Sequence, residues 1–375
     1  MELSLSSLDR RYLQRAIDLG KRGWGGVHPN PLVGCVLVKD GQIVAEGWHK
    51  EYGGPHAETL ALEGAGERAM GATAYVSLEP CNHTGKTPPC SQALLDAGVV
   101  RIVYGAGDPG KESAGGAEAL QEWGVEVIGP CLTYDQAWQE NPSFFWNQEN
   151  GTTFVAIKLA QTLDGKIAEA PGHRTSITGP EALEETHRLR AGFDGVLVGS
   201  RTVLVDDPFL TVRHGIRARR QPWRIVLDTD ARTSPEANLF KDLPDAPLVI
   251  FTADDAPDTL VRGLEEAGAR IHRVPRSGGG LLIPDVLAAC WDMGIRSLLC
   301  EGGGTLASGL LRHGWARRIY LFMAPFVLGE QGVPAFPGAQ SRIGWESWKP
   351  AGSLGIFGRD VLLTFDRIEG CSQES

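Results

Sequence analysis

No stretch of the chain approaches eighteen consecutive apolar residues, so no segment is long enough to span a bilayer as a helix. A dense cysteine framework is also missing. The seven cysteines are odd in number and scattered from Cys35 to Cys371, which fits a reducing cytoplasm and not a disulfide scaffold. No block of like charge runs for more than a few residues, and the net charge is −10. A general nucleic-acid binder needs a basic face to displace counterions from phosphates, so no nucleic-acid partner is expected. A small phosphorylated ligand remains compatible, because a few local arginines suffice. The opening MELSLSSLDR lacks a cationic start followed by an apolar run, so no secretory signal is read there and a cytoplasmic location is expected.

What is present is an ordinary globular composition, 42% hydrophobic and 22% charged over 375 residues. That length suggests two or three domains. Ser6 and Asp9 form a capping-box pattern ahead of a helix carrying Tyr12, Leu13, Ala16, Ile17 and Leu19 on one face, ended by Gly20 and Gly23. Apolar runs at 32–38 and 43–48, joined by Lys39-Asp40-Gly41-Gln42, predict a hairpin. A helix after His56, a strand at 74–78, a helix at 91–97 stopped by Gly98, a strand at 99–104, a further helix and a strand at 125–128 follow. Residues 139–153 have no clean period, which places a domain boundary near 150. The second half alternates again, with strands at 154–160, 195–199, 223–228, 248–252, 297–300, 318–324 and 361–365 and helices at 180–190 and 284–293. Alternation of this kind predicts two different α/β domains, 1–149 and 150–375, each with a sheet covered on both faces.

The residues that carry chemistry in the first half are His56-Ala57-Glu58, Pro80-Cys81 and Pro89-Cys90. One histidine and two thiolates give Zn²⁺ three protein ligands and leave a fourth position for water, the count that separates a catalytic from a structural zinc. Bound water is acidified toward neutrality. Glu58, two residues from His56, is the proton shuttle and not a ligand, as in zinc deaminases. The predicted helix N-termini at His56 and Cys90 favour negative charge at the site. A closed structural zinc or plain core residues are the bland reading, and the order of the three motifs at strand-to-helix junctions weighs against it.

Eight residues separate Cys81 from Cys90, where the general deaminase signature has two. The string Glu79-Pro80-Cys81-Asn82-His83-Thr84-Gly85-Lys86-Thr87-Pro88-Pro89-Cys90 resembles the zinc loop of the bifunctional riboflavin-biosynthesis deaminase–reductases. So do His28-Pro29-Asn30-Pro31-Leu32-Val33-Gly34 and Gly47-Trp48-His49. The resemblance implies that Asn30 holds a pyrimidine and that His49, His83 and Lys86 contact a phosphorylated pyrimidine substrate. Asp108-Pro109 matches the start of another family motif, but Gly110-Lys111-Glu112 departs from its usual asparagine-proline continuation.

In the second half an apolar strand, Ser297-Leu298-Leu299-Cys300, runs into Glu301-Gly302-Gly303-Gly304-Thr305 and a helix with Leu306, Leu310 and Leu311. Glycines let backbone amides approach a phosphate at a helix N-terminus. A tight structural turn explains the same residues equally well, and the acid a Rossmann site needs about twenty residues on is absent until Glu330. The surrounding strings extend the resemblance over residues 9–366. They are Lys158-Leu159-Ala160-Gln161-Thr162-Leu163-Asp164-Gly165-Lys166-Ile167-Ala168, Leu189-Arg190-Ala191, Asp206-Asp207-Pro208-Phe209-Leu210-Thr211-Val212-Arg213 and Gln221-Pro222-Trp223-Arg224-Ile225-Val226-Leu227-Asp228.

That resemblance implies an N-terminal cytidine-deaminase-like α/β/α sandwich fused to a C-terminal dihydrofolate-reductase-like α/β domain. It implies NADPH contacts at Ala160, Thr202, Asp206, Thr229, Gly303, Gly304, Thr305, Leu306, Ala307, Ser308 and Gly309. It implies substrate contacts at Arg190, Leu210, Arg213 and Glu301, and a planar arginine fork suits a ribose phosphate. Arg190, late in a helix, also complements the helix dipole, and Asp206-Asp207 also reads as a turn before Pro208. One departure stands out: Arg174-Thr175-Ser176 precedes Ile177-Thr178-Gly179, where the family shows a serine, one residue and a tryptophan.

The expectation is a zinc-dependent deaminase of a diaminopyrimidine ribosylamino-5′-phosphate in front of an NADPH-dependent reductase, assembled as a homo-oligomer. A deaminase of free bases or nucleosides is the rival enzyme, and the long polar 81–90 loop and Arg213 speak against it. A zinc-stabilised scaffold would lack Glu58 or add a fourth ligand. A nucleic-acid-editing deaminase conflicts with the charge.

Overall fold

Ser6 Oγ accepts the Asp9 N–H at 3.0 Å and Asp9 Oδ2 accepts the Ser6 N–H at 3.2 Å, the reciprocal cap expected from the sequence. It opens α1 (Ser7–Gly20), which buries Leu13, Ala16, Ile17 and Leu19. The computed structural model describes residues 5–83, 88–338 and 347–368. Strands β1 (Gly34–Lys39) and β2 (Gln42–Trp48) follow as an antiparallel hairpin. Its two-residue turn has Asp40 at φ 51° and Gly41 at φ 73°, the left-handed pair that matches strand twist.

Next come α2 (Ala57–Ala65), β3 (Thr73–Leu78), α3 (Cys90–Asp96), β4 (Arg101–Ala106), α4 (Gly116–Glu122), β5 (Glu126–Ile128), α5 (Tyr134–Glu140) and α6 (Pro142–Asn150). The sheet runs β2-β1-β3-β4-β5, with β3, β4 and β5 parallel. Alternation along β1 splits the core into two layers. Val36 and Val38 pack with Leu13 and Ala16 of α1, while Cys35 and Leu37 pack with Ala57, Ala61, Leu94 and Leu120. This is the α/β/α sandwich. The buried Asp9 carboxylate ties it together, accepting Tyr75 Oη at 2.7 Å and Arg101 Nη1 at 2.7 Å.

Residues 139–153 correct the sequence reading: they are largely helix. The two short helices meet at Asn141 (φ −138°, ψ 53°) and Pro142 opens α6, so the break destroys the 3.6-residue period. Phe144, Phe145 and Trp146 of α6 are buried. The chain divides into two units, Met1–Gly151 and Thr152–Ser375.

The second unit comprises β6 (Phe154–Thr162), β7 (Lys166–Ala168), α7 (Pro180–Ala191), β8 (Gly195–Gly199), α8 (Ser200–Asp206), β9 (Trp223–Leu227), β10 (Leu248–Ala253) and α9 (Asp258–Glu266). It continues with β11 (Arg270–Val274), β12 (Arg276–Ser277), β13 (Gly280–Leu281), α10 (Ile283–Asp292), β14 (Ser297–Cys300) and α11 (Gly304–Arg312). It ends with β15 (Arg318–Ala324), β16 (Val333–Pro334), β17 (Trp348–Pro350), β18 (Gly355–Phe357) and β19 (Asp360–Arg367). Of these, α8, α9, β11 and the short strands β7, β12, β13, β16, β17 and β18 escape the sequence pattern.

The main sheet runs β11-β10-β9-β8-β14-β6-β15-β19-β17, parallel from β11 through β15. Val196 and Val198 face one layer with Val226 and Ile250; Leu197 faces the other with Ile225, Val249 and Phe251. Burial on both sides explains why these strands read as continuous apolar runs. The register aligns Ile157, Cys300, Leu197 and Ile225 across β6, β14, β8 and β9. Residues just beyond them therefore share the carboxyl edge of the sheet, where open α/β sheets bind ligands. Among the described residues, no helix is long and apolar enough to cross a membrane.

Two candidate active sites

In the first unit, His56 is the N-cap of α2, Cys90 is the first residue of α3, and Cys81 lies in the loop after β3. His56 Nδ1 lies 3.2 Å from Cys90 Sγ and 3.5 Å from Cys81 Sγ. Tetrahedral zinc, with bonds of about 2.3 Å to sulfur and 2.0–2.1 Å to nitrogen, places such atoms roughly 3.6 Å apart. The donor set therefore fits zinc, and the three ligand atoms all lie within 4.8 Å of one another. The Cys90 thiol holds the Cys81 pKa well below the usual thiol range, against burial and with help from His56. Cys90 is driven upward by Cys81 and by burial.

Glu58, in the first turn of α2, is 3% exposed, so it carries a carboxyl group with almost no solvent. Burial pushes it up to about 7, and the Cys81 charge adds to the effect. His56, Cys81 and Glu58 border a cavity of about 540 Å³ that is also lined by Asn30, His49 and His83. His49 Nδ1 lies 2.9 Å from the Pro55 carbonyl, so Nδ1–H donates there and Nε2 is left to accept. Asn30 Nδ2 lies 3.1 Å from that Nε2. The histidine thus fixes the asparagine's carboxamide, and burial keeps His49 neutral by lowering its pKa. Lys86 lies outside the described residues.

Asp108, whose motif the sequence left without a role, also lines the cavity, and sequence reasoning missed Ser113, Phe144 and Gln148. The last two come from α6, the helix hidden in the aperiodic stretch. Glu79 accepts backbone N–H groups of Asp108 (3.2 Å), Gly115 (3.1 Å) and Ala117 (3.0 Å), which fixes the loop opposite the ligands. A Cβ at Gly110 would lie 2.4 Å from Ser113 Oγ, a contact that rotation of the serine side chain relieves.

The second site lies along the carboxyl edge of the large sheet. Ala160 is near the end of β6, Thr202 and Asp206 belong to α8, Thr229 follows β9, and residues 303–309 open α11. Gly303 N–H donates to Thr202 Oγ1 at 3.1 Å, which joins two of these segments. A Cβ at Gly302 would meet Val198 Cα at 2.6 Å, and one at Gly304 would meet the Ala335 carbonyl at 2.4 Å. At Gly303 the nearest atom would be Thr202 Oγ1 at 3.6 Å. The loop is thus pinned by its outer glycines and open at the middle one. No side chain caps α11, so its first N–H groups are available to an anion.

Arg190 is no surface residue. Its Nε and Nη2 pair with Glu301 at 2.5 and 3.0 Å, and Nη1 donates to the Thr211 carbonyl at 3.0 Å. Two of the four residues expected to touch substrate in this unit therefore bind each other, with side chains 10% and 8% exposed. Half-buried Lys158 adds its charge to this pair, and burial lowers its pKa. Leu210 is buried with φ 54°, while exposed Arg213 lies over the Phe209 ring at 4.9 Å. Burial lowers the Arg213 pKa, and the charges of Arg190 and Arg174 add to it. Asp206 is raised by burial and opposed by Arg174, so the position that departs from the family pattern bears electrostatically on both edges of the site. Asp207 ends α8 at φ 40° and accepts the Asn238 N–H at 2.7 Å, which makes that residue a structural turn.

Fold and site define the class: a deaminase domain with a zinc-type donor set, followed by an α/β reductase domain of dihydrofolate-reductase-like fold. Residues 6–106 match the cytidine and deoxycytidylate deaminase zinc-binding region, and residues 153–356 match the RibD C-terminal domain. The riboflavin biosynthesis protein RibD of Escherichia coli is 39% identical over 349 residues, covering 88% of this chain and 92% of that protein. Two solved structures superpose over 96% of this chain and 99% of their own. Acinetobacter baumannii RibD does so with a TM-score of 0.82 at 34% identity. A diaminohydroxyphosphoribosylaminopyrimidine deaminase/5-amino-6-(5-phosphoribosylamino)uracil reductase from Thermotoga maritima does so with 0.81 at 33%. The chain belongs to the RibD family, the bifunctional deaminase–reductases of riboflavin biosynthesis.

Proposed function

We propose that the first unit removes the exocyclic amine from a diaminopyrimidine bearing a ribosylamino 5′-phosphate. The second unit then reduces the ribosyl group of the product to ribityl with NADPH. The observation that carries this reading is the cluster of His56, Cys81 and Cys90 ligand atoms beside a cavity lined by His56, Cys81 and the buried Glu58.

His56, Cys81 and Cys90 would hold zinc, which when bound would acidify a water toward neutrality. As water adds to the amine-bearing carbon, Glu58 takes one of its protons and passes it to the ring nitrogen; it then takes the proton of the new hydroxyl and delivers it to the amine, which leaves as ammonia while the carbonyl forms. Asn30, steadied by His49, presents its remaining amide atoms to the pyrimidine edge. By family likeness, His83 and Lys86 meet the ribose phosphate.

In the second unit, Ala160, Thr202, Asp206, Thr229 and residues 303–309 hold NADPH, which supplies the hydride when bound. The open Gly303 and the uncapped α11 suit its pyrophosphate. Arg213 meets the substrate phosphate, Leu210 offers backbone, and the Arg190–Glu301 pair forms a fixed polar wall. The enzyme acts in the cytoplasm as a homo-oligomer, without nucleic acid or membrane.

Elemental analysis of purified protein tests the metal assignment: one zinc per chain in wild type, and a large loss in Cys81→Ser. Glu58→Gln should keep its zinc while ammonia release slows by about 10²–10⁴-fold, the usual weight of a general acid–base group. Full ammonia release from zinc-free wild type contradicts the reading.

A further inference from the structure

Residues 210–213 pair with no strand, yet their backbone is fixed by side chains from elsewhere in the unit. Arg190 Nη1 donates to the Thr211 carbonyl at 3.0 Å. Gln221 brackets Val212, accepting its N–H at 2.7 Å and donating to its carbonyl at 3.1 Å. His187 Nδ1 accepts the Arg213 N–H at 3.0 Å. Leu210 (φ 54°) and His214 (φ 58°) flank the clamped stretch in the left-handed region, which residues with a Cβ hold only where their surroundings over-determine it.

His187 lies on α7, is 1% exposed, and its ring centroid lies 4.6 Å from that of His214, with the planes tilted by 47°. Accepting through Nδ1 requires a neutral ring with its proton on Nε2. The surroundings enforce that state: burial first, then the charges of Arg190, His214 and Arg213, against Glu301.

We propose that His187 is a positioning residue of the reductase: its Nδ1 fixes the backbone at Arg213 and so aims the Arg213 guanidinium at the substrate phosphate before substrate arrives. The inference rests on Arg213 being a phosphate contact. Holding the loop to the core does not depend on His187, because Leu210 and Val212 are buried there at 3% and 5% exposure. Arg213 itself is exposed, so water can satisfy its N–H if the histidine is lost. What His187 adds is the orientation of a long, flexible cation, and preorganisation of that kind lowers the entropy lost on binding.

The test compares His187→Phe, which fills the space without an acceptor, with His187→Asn, whose amide oxygen falls near the Nδ1 position. Both are made in the full chain and checked by thermal unfolding. His187→Phe should raise KM for the phosphorylated reductase substrate about tenfold or more, with kcat and NADP⁺ affinity changed less than threefold. His187→Asn should restore KM to within about threefold of wild type. If the phenylalanine variant does not fold, His187→Gln replaces it, because its oxygen reaches the Nε2 position instead. Arg213→Ala separates the two layers of the claim. An unchanged KM in Arg213→Ala overturns the phosphate-contact reading. A raised KM in Arg213→Ala beside an unchanged KM in the acceptor-free variant overturns the role of His187, as does failure of His187→Asn to rescue.

Discussion

Replacing Glu301 by glutamine keeps the side chain's volume and one acceptor but removes the charge that neutralises Arg190. The pair is bidentate, at 2.5 and 3.0 Å, and nearly shut off from water. Half-buried Lys158 lies close enough for the Glu301 charge to bear on it, so the variant leaves two uncompensated cations. Breaking a buried pair from one side costs about 3–5 kcal/mol, and the retained amide places Glu301→Gln near the lower end, at about 3 kcal/mol. That corresponds to roughly a hundredfold rise in the opening equilibrium. Amide hydrogen exchange reads it locally. Core amides of β6 and β14, such as Ala156 and Leu299, should exchange about a hundred times faster, while Val76 and Val103 of the deaminase unit keep their protection. The double variant Arg190→Met, Glu301→Met should recover much of the loss, because an apolar pair of similar size often matches a buried ion pair. Unchanged protection at Ala156 and Leu299, or equal losses in both units, refutes the reasoning.

His187 is pushed down to about 4, chiefly by burial, and the unfolded chain binds a proton near 6.5. The unfolded state thus takes up more protons across that window, so the reductase unit loses stability as pH falls from 6.5 toward 4, by up to about 3 kcal/mol. His187→Asn should flatten that slope in denaturant titrations. In the deaminase unit, Arg101 holds the Asp9 carboxyl far below its usual range, with Tyr75 and Ser6 adding to the effect. Its contribution is complete above the ordinary carboxylate pKa and fades as pH falls further, so Asp9→Asn should destabilise the unit by about 1–3 kcal/mol at neutral pH and blunt its acid sensitivity. Gly302→Ala forces a Cβ to within 2.6 Å of Val198 Cα. That variant should lose NADP⁺ affinity in calorimetry, with an overpacking cost of about 1–3 kcal/mol, and leave ammonia release unaltered.

The candidate metal donors were legible because their chemistry is encoded in short strings: His56-Ala57-Glu58 and two proline–cysteine pairs, each at a strand-to-helix junction that apolar runs predict. The central strands were legible because helices cover both faces of each sheet. What the sequence hid depends on partners distant in the chain. Arg190 and Glu301 are 111 residues apart, and nothing local marks a buried pair. The clamp on residues 210–213 draws on His187, Arg190 and Gln221, whose neighbours give no sign of it. Phe144 and Gln148 reach the deaminase cavity on a helix whose junction with α5 destroys the period that would reveal it. Lys158 stands in a string quoted for its family likeness, but only the fold brings its charge to Glu301.

The most direct test of the account is a paired assay on zinc-loaded protein with the diaminopyrimidine ribosylamino-phosphate, comparing wild type with Glu58→Ala, with and without NADPH. Wild type should release ammonia and then oxidise NADPH in proportion to substrate, and Glu58→Ala should do neither while keeping its zinc. Ammonia release that survives in Glu58→Ala, or wild type that releases none, would contradict the account.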